Sequence, residues 1–238
     1  MRVLFTDLSR TATISSLNET ASYPASNIAD VFLDTLYISV LMSDTIMLLF
    51  DSDESVDSLF IAGCNATELD IVIKDVSDAT IYSATVAIGR ELETHYFTQV
   101  DGARKILISG DVTGYATNMK IKGFGCGVSE RFVDVNNQIS PSVLNETSFT
   151  RSRTGQVLRN DTPSFRGFDL TLPAMSTADY KALSVKLKAL GTHWPTYWDI
   201  AEDTDDFEDP MYVEMNEVWR PVRNGRDWVV TIPVLECR

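Results

Sequence analysis

The chain has 238 residues, enough for one large domain or two of about 100 to 150 residues, and its 44% apolar and 23% charged side chains belong to compact cores rather than to wholesale disorder. Its 20 Lys and Arg against 34 Asp and Glu give a formal charge of -14, a field that repels phosphate backbones and anionic bilayers, so neither nucleic acid nor membrane insertion is expected. Cys64, Cys126 and Cys237 lie far apart without CxxC or Cys/His spacing, which argues against a disulfide framework and a zinc site and fits folding in a reducing compartment.

The negative charge sits mainly in the first half, where residues 1 to 135 carry 9 basic and 19 acidic side chains against 11 and 15 in residues 136 to 238. No basic-then-apolar leader opens the sequence, and its most apolar run, Leu36 to Phe50, is broken by Asp44. The expectation is a chain made soluble in the cytoplasm.

In chain order, Val3-Leu4-Phe5 is a short apolar run, and Thr11 to Ser15 alternates as a half-buried or edge strand does. Ala21 to Asp30 holds Pro24, Ser26, Asn27 and Asp30, all turn formers, and reads as an ordered loop. From Leu36 a series of β runs follows: Leu36 to Met42, Thr45 to Phe50, Ser58 to Ala62, Leu69 to Lys74, Thr80 to Val86, Tyr96 to Val100, Lys105 to Ser109 and Asn118 to Phe124. Gly, Asn, Asp and Ser separate them at roughly 8 to 12 residues, the spacing of a sandwich or barrel. Ile71, Ile73, Ile106, Ile108, Met119 and Ile121 are the expected core face. The glycines of Gly123-Phe124-Gly125-Cys126-Gly127 weaken a strand and allow a sharp exit.

A first domain is thus expected over residues 1 to 135, a polar, proline-bearing linker over 136 to 142, and a second domain over 143 to 238. That second half opens with strand-like Val143 to Arg151, Gly155 to Leu158 and Ser164 to Leu172. Ser176-Thr177-Ala178-Asp179 then resembles a capping box, and Tyr180, Leu183, Leu187 and Leu190 recur at helical spacing before Gly191, predicting an amphipathic helix over 177–190. Two closing strands, Met211 to Trp219 and Asp227 to Leu235, are joined through Asn224-Gly225, a strong hairpin signal. The fold class expected is mostly β, an N-terminal jelly-roll sandwich followed by a smaller α+β domain with one helix.

The first half resembles a galactose-binding-like (discoidin-type) jelly roll over residues 10 to 127. Ala21 to Asp30 is similar to that family's opening loop, Thr45 to Asp51 to its first sheet strand, Ser58 to Asn65 to a strand leading into a turn, and Met119 to Gly123 to its last strand. The second half resembles the C-terminal region of bacteriophage tail-tip and baseplate proteins in Arg151 to Leu172, Ser176 to Gly191, Trp194 to Ile200 and Trp228 to Glu236. Together these resemblances imply a structural virion protein acting by contacts with other tail proteins, as a symmetric ring or attached to one. The alternative is a carbohydrate-binding module for a host glycan.

Candidate chemistry is sparse. His95 and His193 lie in no metal-binding spacing, and the carboxylates show no arrangement that singles out a glycosidase pair, so no catalytic group, cofactor or metal is expected and the chain reads as a non-enzyme. The acidic run Glu202 to Asp209 offers oxygen ligands suited to Ca²⁺ but lacks EF-hand order, and a solvated loop held apart by self-repulsion is the favoured reading. A sugar site would use loop residues Tyr23, Asn27, Asn65 and Tyr115, although tying down their loop is the favoured role of Tyr23 and Asn27. An assembly surface would use Arg151, Arg153, Arg159 and Arg166 with the rigid aromatics Trp194, Tyr197 and Trp198, against ordinary surface charge and a core role for Trp198.

Overall fold

The computed structural model describes residues 2–30, 35–112, 118–132, 140–144, 148–151, 157–160, 165–191, 195–199, 211–215 and 218–236. The chain forms two compact units, one of Met1–Arg131 with Thr196–Met211 and one of Phe132–Pro195 with Tyr212–Arg238.

The first unit contains β1 (Arg2–Val3), β2 (Thr13–Ser16), β3 (Tyr37–Ile38), β4 (Ser43–Ala62), β5 (Glu68–Lys74), β6 (Thr80–Ala87), β7 (Leu92–Asp111), β8 (Lys120–Ile121), β9 (Gly123–Gly127) and β10 (Glu130–Arg131). Its main sheet runs in the order β2-β4-β7-β5-β6, antiparallel throughout, with β9 also paired to β4. Along β4 the side chains alternate as a half-buried strand requires: Asp44, Ile46, Leu48 and Phe50 are buried, whereas Thr45, Leu49 and Asp51 face solvent. Beyond Asp57 every residue from Ser58 to Ala62 is buried, since this stretch lies between β7 and β9 and is covered on both faces.

Ile46, Leu48, Leu59, Ile61, Ile71, Ile73, Ile106, Ile108 and Phe124 of the main sheet pack into one core with Ile28, Tyr37, Met119 and Ile121 from outside it. All six predicted core residues are buried. The predicted jelly-roll β-sandwich is the observed architecture, but four expected short strands are two long ones. Thr45 to Phe50 and Ser58 to Ala62 are continuous in β4, as are Tyr96 to Val100 and Lys105 to Ser109 in β7. The polar stretch between each pair continues the β4–β7 ribbon through register shifts instead of leaving it as a loop, because β-bulges absorb the extra residues.

In the second unit β11 (Ser140–Leu144), β12 (Ser148–Arg151), β13 (Val157–Asn160) and β14 (Phe165–Met175) precede α1 (Thr177–Leu190). Ser140, Pro141 and Ser142, expected as linker, are strand residues paired with Asp169, Phe168 and Gly167. The helix has its predicted bounds. Ser176 Oγ accepts a hydrogen bond from the Asp179 N–H at 3.2 Å, Leu183, Leu187 and Leu190 form the buried stripe, and Gly191 closes the helix at φ +74°. Ser176→Ala should cost about 1 kcal/mol of helix stability, checked by thermal melting; an unchanged melting temperature would contradict that role.

After the helix the chain returns to the first unit as β15 (Thr196–Asp199), which pairs with β1 so that Arg2 faces Asp199 and Val3 faces Trp198. Leu4 N–H donates to the Tyr197 carbonyl at 3.0 Å, and Thr196 Oγ1 donates to the Leu4 carbonyl. Tyr197 stacks on Phe60 with centroids 5.0 Å apart and lies over Gly125, where an added Cβ would come 2.3 Å from its ring. Gly125 therefore serves close packing inside a buried strand, not a sharp exit from the sheet. The chain closes in the second unit with β16 (Met211–Met215), β17 (Arg220–Asn224) and β18 (Asp227–Glu236); β18 pairs with β14, β16 and β17, and β17 and β18 form the predicted hairpin.

Candidate functional site

The first unit carries a cleft of about 550 Å³ at one end of its main sheet. Its floor is made by outward-facing residues in register on neighbouring strands. Thr45 of β4 lies opposite Ser109 of β7, with their hydroxyl oxygens 2.9 Å apart, and Ser109 lies opposite Asp70 of β5. The row continues beyond the cleft to Thr85 of β6, whose hydroxyl donates to Asp70 Oδ1 at 2.6 Å. Period-2 alternation puts these polar groups on the wet face, since each immediate in-strand neighbour of Asp70 is a buried Leu69 or Ile71.

Leu17, Asn18, Leu41 and Ser43 line one part of the cleft, and Thr67, Glu68, Gly110 and Asp111 complete it. Leu17 is 99% exposed and Leu41 49%, so two apolar side chains stand beside a hydroxyl- and carboxylate-bearing floor. The backbone is hydrogen-bonded at Leu41 and next to Leu17, at Asn18. The Asn18 carbonyl accepts from Val40 N–H at 2.7 Å, and the Leu41 carbonyl accepts from Met119 N–H at 3.1 Å.

Asp44 anchors this wall. Its carboxylate accepts from Ser16 Oγ at 2.6 Å, Asn18 Nδ2 at 3.0 Å, the Thr45 N–H at 2.7 Å and the Tyr37 hydroxyl. Burial acts to raise the Asp44 pKa, but the hydrogen bonds from Ser16, Tyr37, Asn18 and Thr45 outweigh it and hold the carboxyl below its ordinary 3.8. Burial first, and then the bond to Asp44, push the Tyr37 hydroxyl up to about 12, so it remains a donor across the physiological range. One ionised carboxylate thus ties together the end of β2, β3 and the start of β4.

Of the expected sugar-site residues, Tyr23 is 43% exposed, and its backbone closes the opening loop through Thr20 and Ile38. Asn27 Nδ2 donates to the Leu36 carbonyl at 2.9 Å. Asn65 bridges the Asn118 carbonyl and the Lys120 N–H at 2.9 and 2.7 Å. Both asparagine side chains are engaged in holding loops, and none of these three residues lines the cleft. Tyr115 lies outside the described residues, as do Arg153, Trp194, His193 and the acidic run Glu202 to Asp209.

The expected assembly residues are dispersed. Arg151 and Arg159 lie on the β12–β13 ribbon, while Arg166 is in β14, opposite Val143. Tyr197 and Trp198 are 2% and 1% exposed. Both are buried, Tyr197 against Phe60 and Gly125, so neither side chain is a surface anchor. Among the described residues no group of three or more His, Cys, Asp or Glu is arranged to hold a metal ion.

An aromatic cluster escaped the sequence reading. Tyr82 stacks on Phe97 at 4.1 Å, and its hydroxyl is hydrogen-bonded to His95 Nε2 at 2.6 Å. Tyr82 and Phe97 pack against the core, and burial lowers the His95 pKa. The cleft itself was missed because Thr45, Asp70 and Ser109 are ordinary outward strand residues until the register aligns them. Its only local signal was a polar side chain next to a buried isoleucine near the same end of successive strands, Thr45 before Ile46, Asp70 before Ile71 and Ser109 after Ile108.

No family model and no curated protein matches the chain. Several solved structures do resemble it. Chitosan-binding module 1 of a chitosanase/glucanase from Paenibacillus sp. IK-5 is 17% identical with a TM-score of 0.45, covering 52% of this chain and 99% of that one. The family 32 carbohydrate-binding module of Clostridium perfringens NanJ, in complex with galactose, is 17% identical with a TM-score of 0.45, covering 55% of this chain and 100% of that one. The Streptococcus pneumoniae fucose-binding module SpX-3 is 9% identical with a TM-score of 0.45, covering 52% and 98%. These neighbours are carbohydrate-binding modules and not virion components. The expectation of a bacteriophage tail-tip structural protein, with tail proteins as its partners, is corrected accordingly, and two of the three aromatic side chains on which it leaned, Tyr197 and Trp198, are buried.

Proposed function

We propose that the first unit is a carbohydrate-recognition module that binds glycan in the cleft above β4, β7 and β5, without catalysis. The observation that carries this reading is the cleft's mixed lining: hydroxyls and carboxylates of Thr45, Ser109, Asp70 and Asp111 on a rigid sheet, beside the exposed side chains of Leu17 and Leu41. A sugar ring presents alternating hydroxyl groups and apolar C–H faces. Acceptors and donors fixed on strands suit the former, and aliphatic side chains suit the latter.

Calorimetric titration of the full chain with a panel of neutral and amino-bearing oligosaccharides tests this. Binding is expected for at least one of them and should be lost in Ser109→Leu, whose side chain fills the floor from a half-buried strand position on the outer face of β7 and should change folding stability by no more than about 1 kcal/mol. A panel without a binder, or undiminished binding by Ser109→Leu, would overturn the assignment.

A further inference from the structure

We infer that the occupant of the cleft is an internal stretch of a linear glycan bearing free amino groups, an inference that rests on the carbohydrate reading above. Charge sets the class. Asp44, Glu68, Asp70 and Asp111 line the cleft together with hydroxyl, amide and apolar groups, and no Lys, Arg or His is among the lining residues. Among the described residues no ion pair engages Glu68, Asp70 or Asp111. Asp44 has its acceptor capacity taken up by four protein donors and holds the wall, whereas Asp70 accepts from the Thr85 hydroxyl through Oδ1 and keeps Oδ2 for a ligand beside Glu68 and Asp111.

A carboxylate only accepts hydrogen bonds and an ammonium only donates them, so a protonated sugar amine is the complementary group, whereas a uronic or sialic acid would meet like charge. The chain's net charge of -14 adds to this by concentrating cations and repelling anionic glycans.

Geometry sets the direction. Thr45, Ser109, Asp70 and Thr85 place one polar side chain on each of four successive strands, β4, β7, β5 and β6. Adjacent strands are about 4.8 Å apart, so the row runs across the sheet in steps on the scale of a sugar ring. It begins beside Leu17 and Leu41 and continues past the cleft to exposed Thr85 on β6. A row that continues beyond the cleft suits a chain lying across it more than a single terminal sugar.

The test is calorimetry of the full chain with oligomers of β-1,4-linked glucosamine, from dimer to hexamer, against the N-acetylated oligomers of equal length. The free amines should bind tighter at each length, gain affinity as the chain grows, and weaken as sodium chloride is raised. Asp70→Asn and Asp111→Asn should each reduce their affinity about two- to fivefold, the effect of an exposed charge pair, and should reduce that of the acetylated oligomers less. Equal, salt-independent affinities for the two series would overturn the amino-glycan assignment while leaving carbohydrate recognition standing. Absence of binding by these oligomers and by the wider neutral panel would overturn both.

Discussion

Asp44→Ala is expected to destabilise the first unit by about 3 kcal/mol, because it removes the ionised acceptor of four hydrogen bonds. Ser16 and Asn18 are half-buried and can turn to water, but Tyr37 is fully buried, and its hydroxyl loses its charged partner. The loss should depend on pH. The folded Asp44 carboxyl lies below 3.8, so its contribution is complete above the unfolded value and disappears as pH falls through the folded one. The stability gap between the parent and Asp44→Ala, followed by urea unfolding, should accordingly be constant near neutrality and shrink in strong acid. A gap that widened on acidification would contradict the hydrogen-bond network. Because Asn18 is tied to Asp44 and lies next to Leu17, the substitution should also weaken glycan binding at temperatures where the protein remains folded.

Gly125→Ala should cost a comparable 3 kcal/mol through overpacking. The new methyl would lie 2.3 and 2.6 Å from two ring carbons of Tyr197. That ring is 2% exposed and stacked on Phe60, and its backbone is bonded to Leu4, so it has little room to withdraw. Tyr197→Leu should cost stability alone, yet recover part of the loss when combined with Gly125→Ala, the positive coupling expected of two residues in direct contact. A Gly125→Ala protein that melted like the parent, or strict additivity of the two changes, would show that β15 does not pack on β9 as described.

The strands were legible where side-chain periodicity met a buried face. Ile71 with Ile73 and Ile106 with Ile108 mark β5 and β7 because each pair spans one repeat of the pleat. The helix was legible because Ser176, the leucine spacing and Gly191 are local signals. The pairing of β1 with β15 was not, since Val3 and Trp198 meet across nearly the whole chain and nothing around Trp198 specifies its partner. For the same reason Tyr197 and Trp198 read as interface aromatics: large apolar side chains look alike in sequence whether a core or a partner covers them. Asn27 and Asn65 were rightly recognised as loop residues, but a loop asparagine that bonds its own backbone has the same sequence context as one that meets a ligand.

The most direct test of carbohydrate recognition at this cleft is a crystal structure of the full chain with a bound oligosaccharide. Sugar density is expected over Thr45, Ser109 and Asp70, with a ring against Leu17 or Leu41. Ordered sugar on the Tyr82–Phe97 aromatics, with the cleft empty, would contradict it.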